Sequence, residues 1–333
     1  MTARNTLLDC LRGFAILLVV IGHSIQTVYS NNYDQHPLFR MIYSFHMPLF
    51  MFISGFVAYG TFNGSPHKLL KRFKTLVIPF ITWATFFVLF NSAIYQQKPD
   101  FIVQFKNLFY SPDNGGLWFL WVLFLNYITL FLALKIHSKK EEILLVVFYI
   151  LINIIIRRFT WCNFAGIGML SWHLLFFTAG YILHKHEIRL KQVVRFAGIS
   201  SVVLFPFLVS FWSRIGPPTF SEMPFAEKWK KILVPLYQFT MPFVGIFASY
   251  QLFQWLAPLK KAQQFFTWIG HFSLEIYASH FYFFHLIFLI KSFPNELNVL
   301  LISLIVLGGS LLTQFILKKN SILAFLFYGK TNP

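Results

Sequence analysis

The chain has 333 residues, of which 57% are hydrophobic and 12% are charged. An average soluble domain carries about 25% charged residues, so this composition excludes an ordinary water-soluble fold and makes lipid the expected solvent for much of the surface. The net charge of +17 would also suit nucleic-acid binding. Because the basic residues stand in short segments between apolar runs, they favour membrane topology and anionic lipid, and no nucleic-acid partner is predicted.

The two cysteines, Cys10 and Cys162, lie in or beside apolar runs, and no Cys/His spacing typical of a metal site occurs. The sequence therefore predicts neither a disulfide framework nor a metal site. The first apolar run, from Leu7 to about Val28, is longer than the apolar part of a signal peptide and contains Arg12 and His23. It is interpreted as a retained helix.

A transmembrane helix needs about 20 mostly apolar residues, and the chain offers about ten such runs. They cover residues 7–28, 38–60, 75–95, 117–136, 143–160, 168–184, 194–213, 232–254, 270–290 and 297–317. The sequence therefore predicts an all-α, polytopic membrane protein in the lipid bilayer. A single membrane-embedded domain over residues 1–333 is expected, with no separate soluble domain.

Lysine and arginine give the expected orientation. If the loops are assigned alternately to the two sides, one side receives 17 of these residues and the other receives 10, with Arg12 inside the first helix. Cytoplasmic loops carry the excess of Lys and Arg. Both termini are therefore predicted to be cytoplasmic, together with the basic segment that holds Lys68, Lys71, Arg72 and Lys74.

Ionisable groups at membrane depth are costly and are functional candidates. In the first span, Asp9 and Arg12 are three residues apart and can pair on one helical face. Arg12 and His23 also share a face, about 16 Å apart along the axis. His46 in the second span is expected at a depth similar to that of His23. If the two helices are neighbours, their imidazoles can meet across one cavity.

The candidate residues thus extend from the basic segment at the cytoplasmic side to the two imidazoles nearer the outer surface. This arrangement suits a long donor substrate with an anionic head. Arginine binds phosphate as a fork, and an imidazole is a suitable general base for a hydroxyl group. Alternatives stay open for each part: a topology signal for the basic segment, packing roles for the histidines, and a structural pair for Asp9 with Arg12.

Two further groups are candidates. Glu275 is the acid that lies deep in a later span, where it is a second base, an acceptor ligand or a partner for a basic group; a buried hydrogen bond between helices is the alternative. Tyr277 and His280 lie on one stripe of the same span and are candidate substrate-binding residues. Trp118 opens the fourth span, either as a sugar-binding ring or as an interfacial anchor.

The sequence resembles the acyltransferase-3 family of membrane acyltransferases. The mark of that family is an Arg and a His with ten residues between them, as Arg12 and His23 stand in LDCLRGFAILLVVIGH at 8–23. Its other motifs are similar to FHMPLFMFISGF at 45–56, KRFKTLVIP at 71–79, LWFL at 117–120 and SLEIYASH at 273–280. The resemblance covers nearly the whole chain, and the form of the second motif with His46 is closest to the fucose 4-O-acetylase branch.

The resemblance implies a ten-helix acyltransferase of the bacterial inner membrane. Such an enzyme takes an acyl group, usually acetyl from cytoplasmic acetyl-CoA, and passes it to a hydroxyl of an envelope or exported glycan or a lipid-linked sugar. Arg12 and His23 carry over as essential residues, with His23 as the base or the acyl carrier. His46, Asp9 and Glu275 are the further catalytic candidates.

The same resemblance places the donor at the basic segment. The paired arginines of the family are not intact there, so Lys68, Lys71, Arg72 and Lys74 are the predicted CoA contacts, together with Arg12. Two alternative functions remain: a non-enzymatic transporter or exporter of a polar substrate, and the same scaffold with succinyl or another acyl donor. The acceptor sugar and the oligomeric state are left open.

Overall fold

The computed structural model describes residues 5–96, 98, 100–110, 117–159, 164–214, 216–222, 227–290 and 293–330. Over these residues the regular structure is entirely helical. The α-helices are α1 Thr6–Tyr29, α2 Pro37–Tyr43, α3 His46–Thr61, α4 Pro66–Arg72, α5 Ile78–Tyr95, α6 Phe101–Tyr110, α7 Trp118–Ile136, α8 Glu141–Arg158, α9 Ile167–Lys185, α10 Glu187–Val209, α11 Glu227–Leu256, α12 Lys260–His271, α13 Ser273–Ser279, α14 Asn295–Leu317 and α15 Ser321–Tyr328. A π-helical turn covers Phe73–Val77, and 3₁₀ segments cover Tyr33–Gln35, Thr219–Glu222 and His280–Leu289.

Eight helical segments within the described residues are long and apolar enough to cross a membrane. They are Thr6–Tyr29, Pro37–Thr61, Pro66–Ile94, Trp118–Ile136, Ile167–Lys185, Glu187–Val209, Glu227–Leu256 and Asn295–Leu317. The pair Lys260–His271 and Ser273–Leu289 adds a ninth if it is counted as one span. The predicted class, an all-α multi-pass membrane protein, is confirmed. The side that each loop faces stays a prediction.

The predicted fifth span, 143–160, corresponds to α8. This helix carries Glu141 and Glu142 in its first turn and Arg157 and Arg158 in its last. Four charges make it too polar to count with the other spans, and the last predicted residue, 160, lies outside the described part of the chain. A tenth crossing therefore remains a prediction.

The second span is interrupted at Ser44 and Phe45, between α2 and α3, four residues before Pro48, whose ring would clash with the Ser44 carbonyl in a regular α-helix. Side chains also hydrogen-bond the last carbonyls of α2. The Ser44 hydroxyl donates to the carbonyl of Met41 at 2.8 Å, and Nδ1–H of His46 donates to the carbonyl of Ile42 at 2.8 Å. Such local bonds offer the backbone an alternative to the helical ladder. The ninth span also breaks, at Phe272, and becomes a 3₁₀ helix after Ser279. The predicted span over 270–290 is therefore not one continuous α-helix.

The third span begins earlier than predicted, at Pro66, and passes through the π-helical turn at Phe73–Val77. Proline has no N–H, and its ring clashes with the carbonyl four residues earlier in a regular α-helix. For Pro79 that residue is Thr75, inside the π-helical turn. The wider turn removes the clash. It also shifts the basic residues of α4 away from the positions they would have if α4 and α5 formed one regular α-helix.

Residues Met1–Ile53, His186–Ser273 and Phe283–Gly308 form one compact unit, called unit 1. In it, α1 lies directly on α12 at two glycines. A Cβ atom at Gly13 would stand 2.0 Å from the carbonyl oxygen of Phe266, and one at Gly270 would stand 2.1 Å from that of Asp9. Small residues let helix backbones approach this closely.

Residues Ser54–Lys185, Leu274–Tyr282 and Gly309–Pro333 form the second compact unit, called unit 2. Here α3 approaches α9 at Gly55, where a Cβ atom would stand 1.9 Å from the carbonyl oxygen of Phe177. The ammonium of Lys185 at the end of α9 lies 2.9 Å from the carboxylate of Glu141 on α8. The indole N–H of Trp83 on α5 donates to the carbonyl of Phe327 on α15 at 2.8 Å.

Candidate active site

The first group of candidate residues lies near the start of α1. The side chain of Asp9 is 3% exposed, and one of its oxygens accepts a hydrogen bond from Nη1 of Arg12 at 3.1 Å. The predicted pairing of these two residues is confirmed. Nε2 of His271 lies 3.7 Å from the other carboxylate oxygen, because Gly270 brings α12 against α1. Sequence reasoning missed His271 as a partner, since the two residues are far apart in the chain.

The second group lies around His23, further along α1. Nδ1 of His23 is 2.6 Å from Oε1 of Gln26, and the hydroxyl of Tyr43 donates to the same Oε1 at 2.7 Å. Because a carbonyl oxygen only accepts, the ring proton of neutral His23 stands on Nδ1. Nε2 therefore carries the lone pair, and it is the atom suited to accept a proton from a hydroxyl group.

His46 has the same tautomer, because its Nδ1–H donates to the Ile42 carbonyl. The ring of Tyr43 lies 4.7 Å from the His46 ring and 6.2 Å from the His23 ring, measured between centroids. The structure thus brings both imidazoles to one tyrosine. Sequence reasoning overlooked two residues that have a local signal. Gln26 stands three residues after His23, and Tyr43 stands three residues before His46, so each is about one helical turn from a candidate histidine.

A further cation lies beside this group. The guanidinium of Arg214 lies over the rings of Tyr43, Tyr33 and Phe39, at 5.2, 5.7 and 5.9 Å from their centroids. These are cation–π distances. In the sequence Arg214 is one of the ten cations assigned to the outer loops, and its position on this aromatic cluster depends on a contact between distant segments.

The basic segment belongs to unit 2, and its four predicted donor contacts differ in how they are held. The guanidinium of Arg72 donates to the Thr61 hydroxyl at 3.1 Å and lies 4.5 Å from the ring centroid of Tyr127. Lys68, Lys71 and Lys74 are exposed. Arg72 is therefore held by its neighbours, while the lysines present mobile point charges.

One cavity of unit 2 lies next to this segment, and its volume is about 620 Å³. Lys68 lines it, together with Lys139 from the turn after α7, Lys185 and Glu141 at the ends of α9 and α8, and the rings of Tyr59 and Tyr181. This volume falls in the usual range of small-molecule sites, about 300–1,000 Å³. Of the basic residues predicted to contact CoA, Lys68 is the one on its wall.

Glu275 is 1% exposed, and one of its carboxylate oxygens pairs with the ammonium of Lys330. Tyr277 follows in the next half-turn, and its hydroxyl accepts from the backbone N–H of Phe119 at 3.1 Å. That contact satisfies one of the unpaired N–H groups at the start of α7. Nδ1–H of His280 donates to the Tyr277 carbonyl at 2.6 Å.

Trp118, the first residue of α7, lies with its ring centroid 4.8 Å from that of His173. The structure therefore places Tyr277 beside the first turn of α7, which Trp118 begins. The roles of Trp118, Tyr277 and His280 in substrate binding stay predictions. Among the described residues, no group of three His, Cys, Asp or Glu side chains is placed to hold a metal ion.

A family model described as an acyltransferase domain matches residues 5–318. Two curated relatives are both named nodulation protein NolL. The protein from Sinorhizobium fredii is 33% identical over 143 residues, which are 41% of this chain and 39% of that protein. The protein from Mesorhizobium japonicum is 31% identical over 130 residues, 38% of this chain and 35% of that protein. The matches thus span less than two fifths of either relative.

No solved structure matches the chain. The family match nevertheless takes in both groups on α1, the basic segment and Glu275, that is, nearly every residue described here. It confirms the family to which the motifs point, while the particular branch stays a proposal. The chain belongs to the acyltransferase-3 family of membrane acyltransferases.

Proposed function

We propose that this chain is a membrane O-acetyltransferase of the bacterial inner membrane, in the branch that resembles fucose 4-O-acetylases. It moves an acetyl group from cytoplasmic acetyl-CoA to a hydroxyl of an envelope or exported glycan or a lipid-linked sugar. The observation that supports this reaction best is the fixed tautomer of His23, whose Nδ1 proton is held by Gln26.

The proposed chemistry follows from that tautomer. Nε2 of His23 accepts the proton of the acceptor hydroxyl while the oxygen attacks the thioester carbonyl. The tetrahedral intermediate collapses, the C–S bond breaks, and the imidazolium returns its proton to the leaving thiolate of CoA. In the alternative path His23 carries the acetyl group between the two substrates. His46, with the same tautomer and on the same tyrosine, is the second proposed base.

The donor is proposed to bind through its phosphates. Arg12, oriented by Asp9, offers a guanidinium fork on α1. In unit 2, Lys68, Lys71, Arg72 and Lys74 supply the cationic segment that the family resemblance assigns to CoA. The cavity of about 620 Å³ at Lys68 supports this assignment, because Lys68 and Lys139 line it beside two tyrosine rings, while its third lysine, Lys185, is paired with Glu141 on the same wall.

Acetyl transfer by the purified protein tests the proposal. The protein is incubated with labelled acetyl-CoA and a panel of sugars, and the product is measured by mass spectrometry. We expect His23→Ala and Arg12→Ala to lose transfer and His137→Ala, an exposed histidine in a loop, to retain it. Normal transfer by both site variants would contradict the residue assignment. A lack of transfer by the unmodified protein to any acceptor would contradict the function.

A transporter of a polar substrate is the second candidate. Helices broken within the membrane are typical of transporters, and here the helices of the ninth predicted span, Lys260–His271 and Ser273–Leu289, are bent by 55°. Flux of a sugar into liposomes without consumption of acyl-CoA would favour this candidate. A larger thermal shift with succinyl-CoA than with acetyl-CoA would instead favour another acyl donor on the same scaffold.

A further inference from the structure

Residues 321–330, called the strap, lie beyond residue 318, where the match to the acyltransferase domain ends. The strap consists of α15 followed by Gly329 and Lys330. The side chain of Asn320 caps α15 by accepting from the N–H groups of Ile322 and Leu323. The strap therefore has an ordered start of its own, outside the matched residues.

The strap supplies the counter-ion of a buried carboxylate. Glu275 is 1% exposed, and the ammonium of Lys330 pairs with its Oε1. Its Oε2 is buried and has no hydrogen-bond partner among the described residues. An uncompensated carboxylate in such surroundings is strongly unfavourable. Lys330 is therefore the counter-ion of this buried side chain among the described residues.

The strap also touches the backbone of the basic segment. Gly329 has a left-handed φ of 65°, and a Cβ atom there would stand 2.5 Å from Cα of Thr75 and 2.6 Å from the carbonyl oxygen of Lys74. No side chain fits in that space. The turn that directs Lys330 to Glu275 thus rests on the residues that follow α4.

Two hydrogen bonds close the arrangement around α5. The Trp83 indole N–H donates to the carbonyl of Phe327, and the hydroxyl of Tyr282 donates to the carbonyl of Trp83, both at 2.8 Å. Phe327 stands three residues before Lys330, and Tyr282 seven residues after Glu275. Burial, followed by the charge of Glu275, raises the pKa of Tyr328, so this neighbour stays neutral.

We propose that Lys330 is a positioning residue, which neutralises Glu275 and thereby holds the strap against the backbone at Lys74–Thr75, where the basic segment meets the phosphates of the acyl-CoA donor. This inference rests on the proposed function for the identity of that donor. It gives Glu275 a role as the anchor of the strap in place of the predicted second base.

If the ion pair between Lys330 and Glu275 were only structural, its loss would lower the stability of the fold without changing the KM for acetyl-CoA. The test therefore follows two quantities in the full chain, the melting temperature in detergent and the KM for acetyl-CoA. The variants are Lys330→Gln, Lys330→Arg, Glu275→Gln with Lys330→Gln, and Gly329→Ala. Lys318→Gln serves as the matched control, because it removes one exposed charge just before the strap.

We expect Lys330→Gln to raise the KM for acetyl-CoA about tenfold with kcat within about twofold, and to lower the melting temperature. Lys330→Arg keeps the charge, and the double variant removes both charges, so both should return most of the lost donor affinity. Gly329→Ala, which changes no charge, should raise the same KM because its Cβ atom displaces the turn from Lys74. The control should match the unmodified chain.

The results of these measurements test separately the positioning role of Lys330, its pairing with Glu275 and the proposed function. A lower melting temperature with an unchanged KM would show that the pair is only structural and would overturn the positioning role. A Lys330→Gln defect that the double variant does not relieve would overturn the pairing with Glu275. If the unmodified chain neither binds nor consumes acetyl-CoA, the proposed function fails. The melting temperatures then decide the pairing by themselves, and equal values in all variants would overturn it.

Discussion

The hydrogen bonds around His23 make a specific prediction about Gln26. Its Oε1 accepts from Nδ1–H of His23 at 2.6 Å and from the Tyr43 hydroxyl at 2.7 Å. The change Gln26→Leu removes this acceptor. The Tyr43 hydroxyl, already 3.3 Å from Nδ1 of His23, would then donate to that nitrogen and force the ring proton onto Nε2. The proposed base would lose its lone pair.

The size of the effect follows from the cost of restoring the active tautomer. That tautomer leaves a buried donor without an acceptor, which costs about 1–3 kcal/mol. Each 1.36 kcal/mol is about a factor of ten in rate, so kcat should fall by about 5- to 150-fold. Because Gln26 has no proposed contact with the donor, the KM for acetyl-CoA should change less than about twofold.

The double variant makes the test sharper. Tyr43→Phe alone removes one donor and leaves the bond between His23 and Gln26, so kcat should change only severalfold. In Gln26→Leu with Tyr43→Phe, no hydroxyl holds Nδ1 in the wrong tautomer, and kcat should be higher than in Gln26→Leu alone. The assay is acetyl transfer at saturating acetyl-CoA, with melting temperatures as a folding check. A double variant slower than Gln26→Leu, or a Gln26→Leu variant with normal kcat, would refute the reasoning.

Two further predictions concern stability and are measured as melting temperatures in detergent. Gly270→Ala places a Cβ atom 2.1 Å from a backbone oxygen of α1, so it should lower the melting temperature markedly. Gly308→Ala, where no atom of the described residues lies within 4 Å, should leave it equal or higher, since alanine favours a helix by about 0.5–1 kcal/mol; similar effects of both would contradict the close packing of α1 on α12. Lys185→Met leaves the carboxylate of Glu141, which is 4% exposed, buried without its ammonium, and breaking such a pair costs about 3–5 kcal/mol. Lys230→Met breaks a pair whose carboxylate is 78% exposed, so its effect should stay below about 1 kcal/mol, and equal losses would contradict the burial argument.

The features that sequence predicted correctly are local or compositional. Apolar length identified the eight described segments that are long enough to cross a membrane, but not α4, α6, α15 or most of α12. The spacing of three residues placed Arg12 on Asp9 because that spacing is fixed by helix geometry. The breaks at Ser44 and Phe272 were missed because apolar length was considered without the local signals, which are Pro48 four residues after Ser44 and Gly270 two residues before Phe272. At Ser44 a pair of side-chain hydrogen bonds to the carbonyls of α2 accompanies the proline. Composition does not reveal bonds of that kind.

The partners that sequence missed are mostly distant along the chain. Lys330 lies 55 residues after Glu275, and His271 approaches Asp9 only because Gly270 lets two helices touch. Nothing in the spacing of these residues indicates the contact. Arg214 on the ring of Tyr43 is a third case. Gln26 differs from them, since its position one helical turn after His23 was a usable signal for the site.

The charged ends of α8 have a consequence for the membrane itself. Between its terminal acids and arginines runs an apolar stretch of 14 residues, Ile143 to Ile156, interrupted only by Asn153. At 1.5 Å per residue this stretch is about 21 Å long, against about 30 Å for a typical hydrocarbon core. If α8 crosses the bilayer, the lipid must become thinner beside it, or Arg157 and Arg158 must extend toward the headgroups. Lipid chain length would then act on this protein through one helix, whose opposite end is fixed by the bond between Glu141 and Lys185.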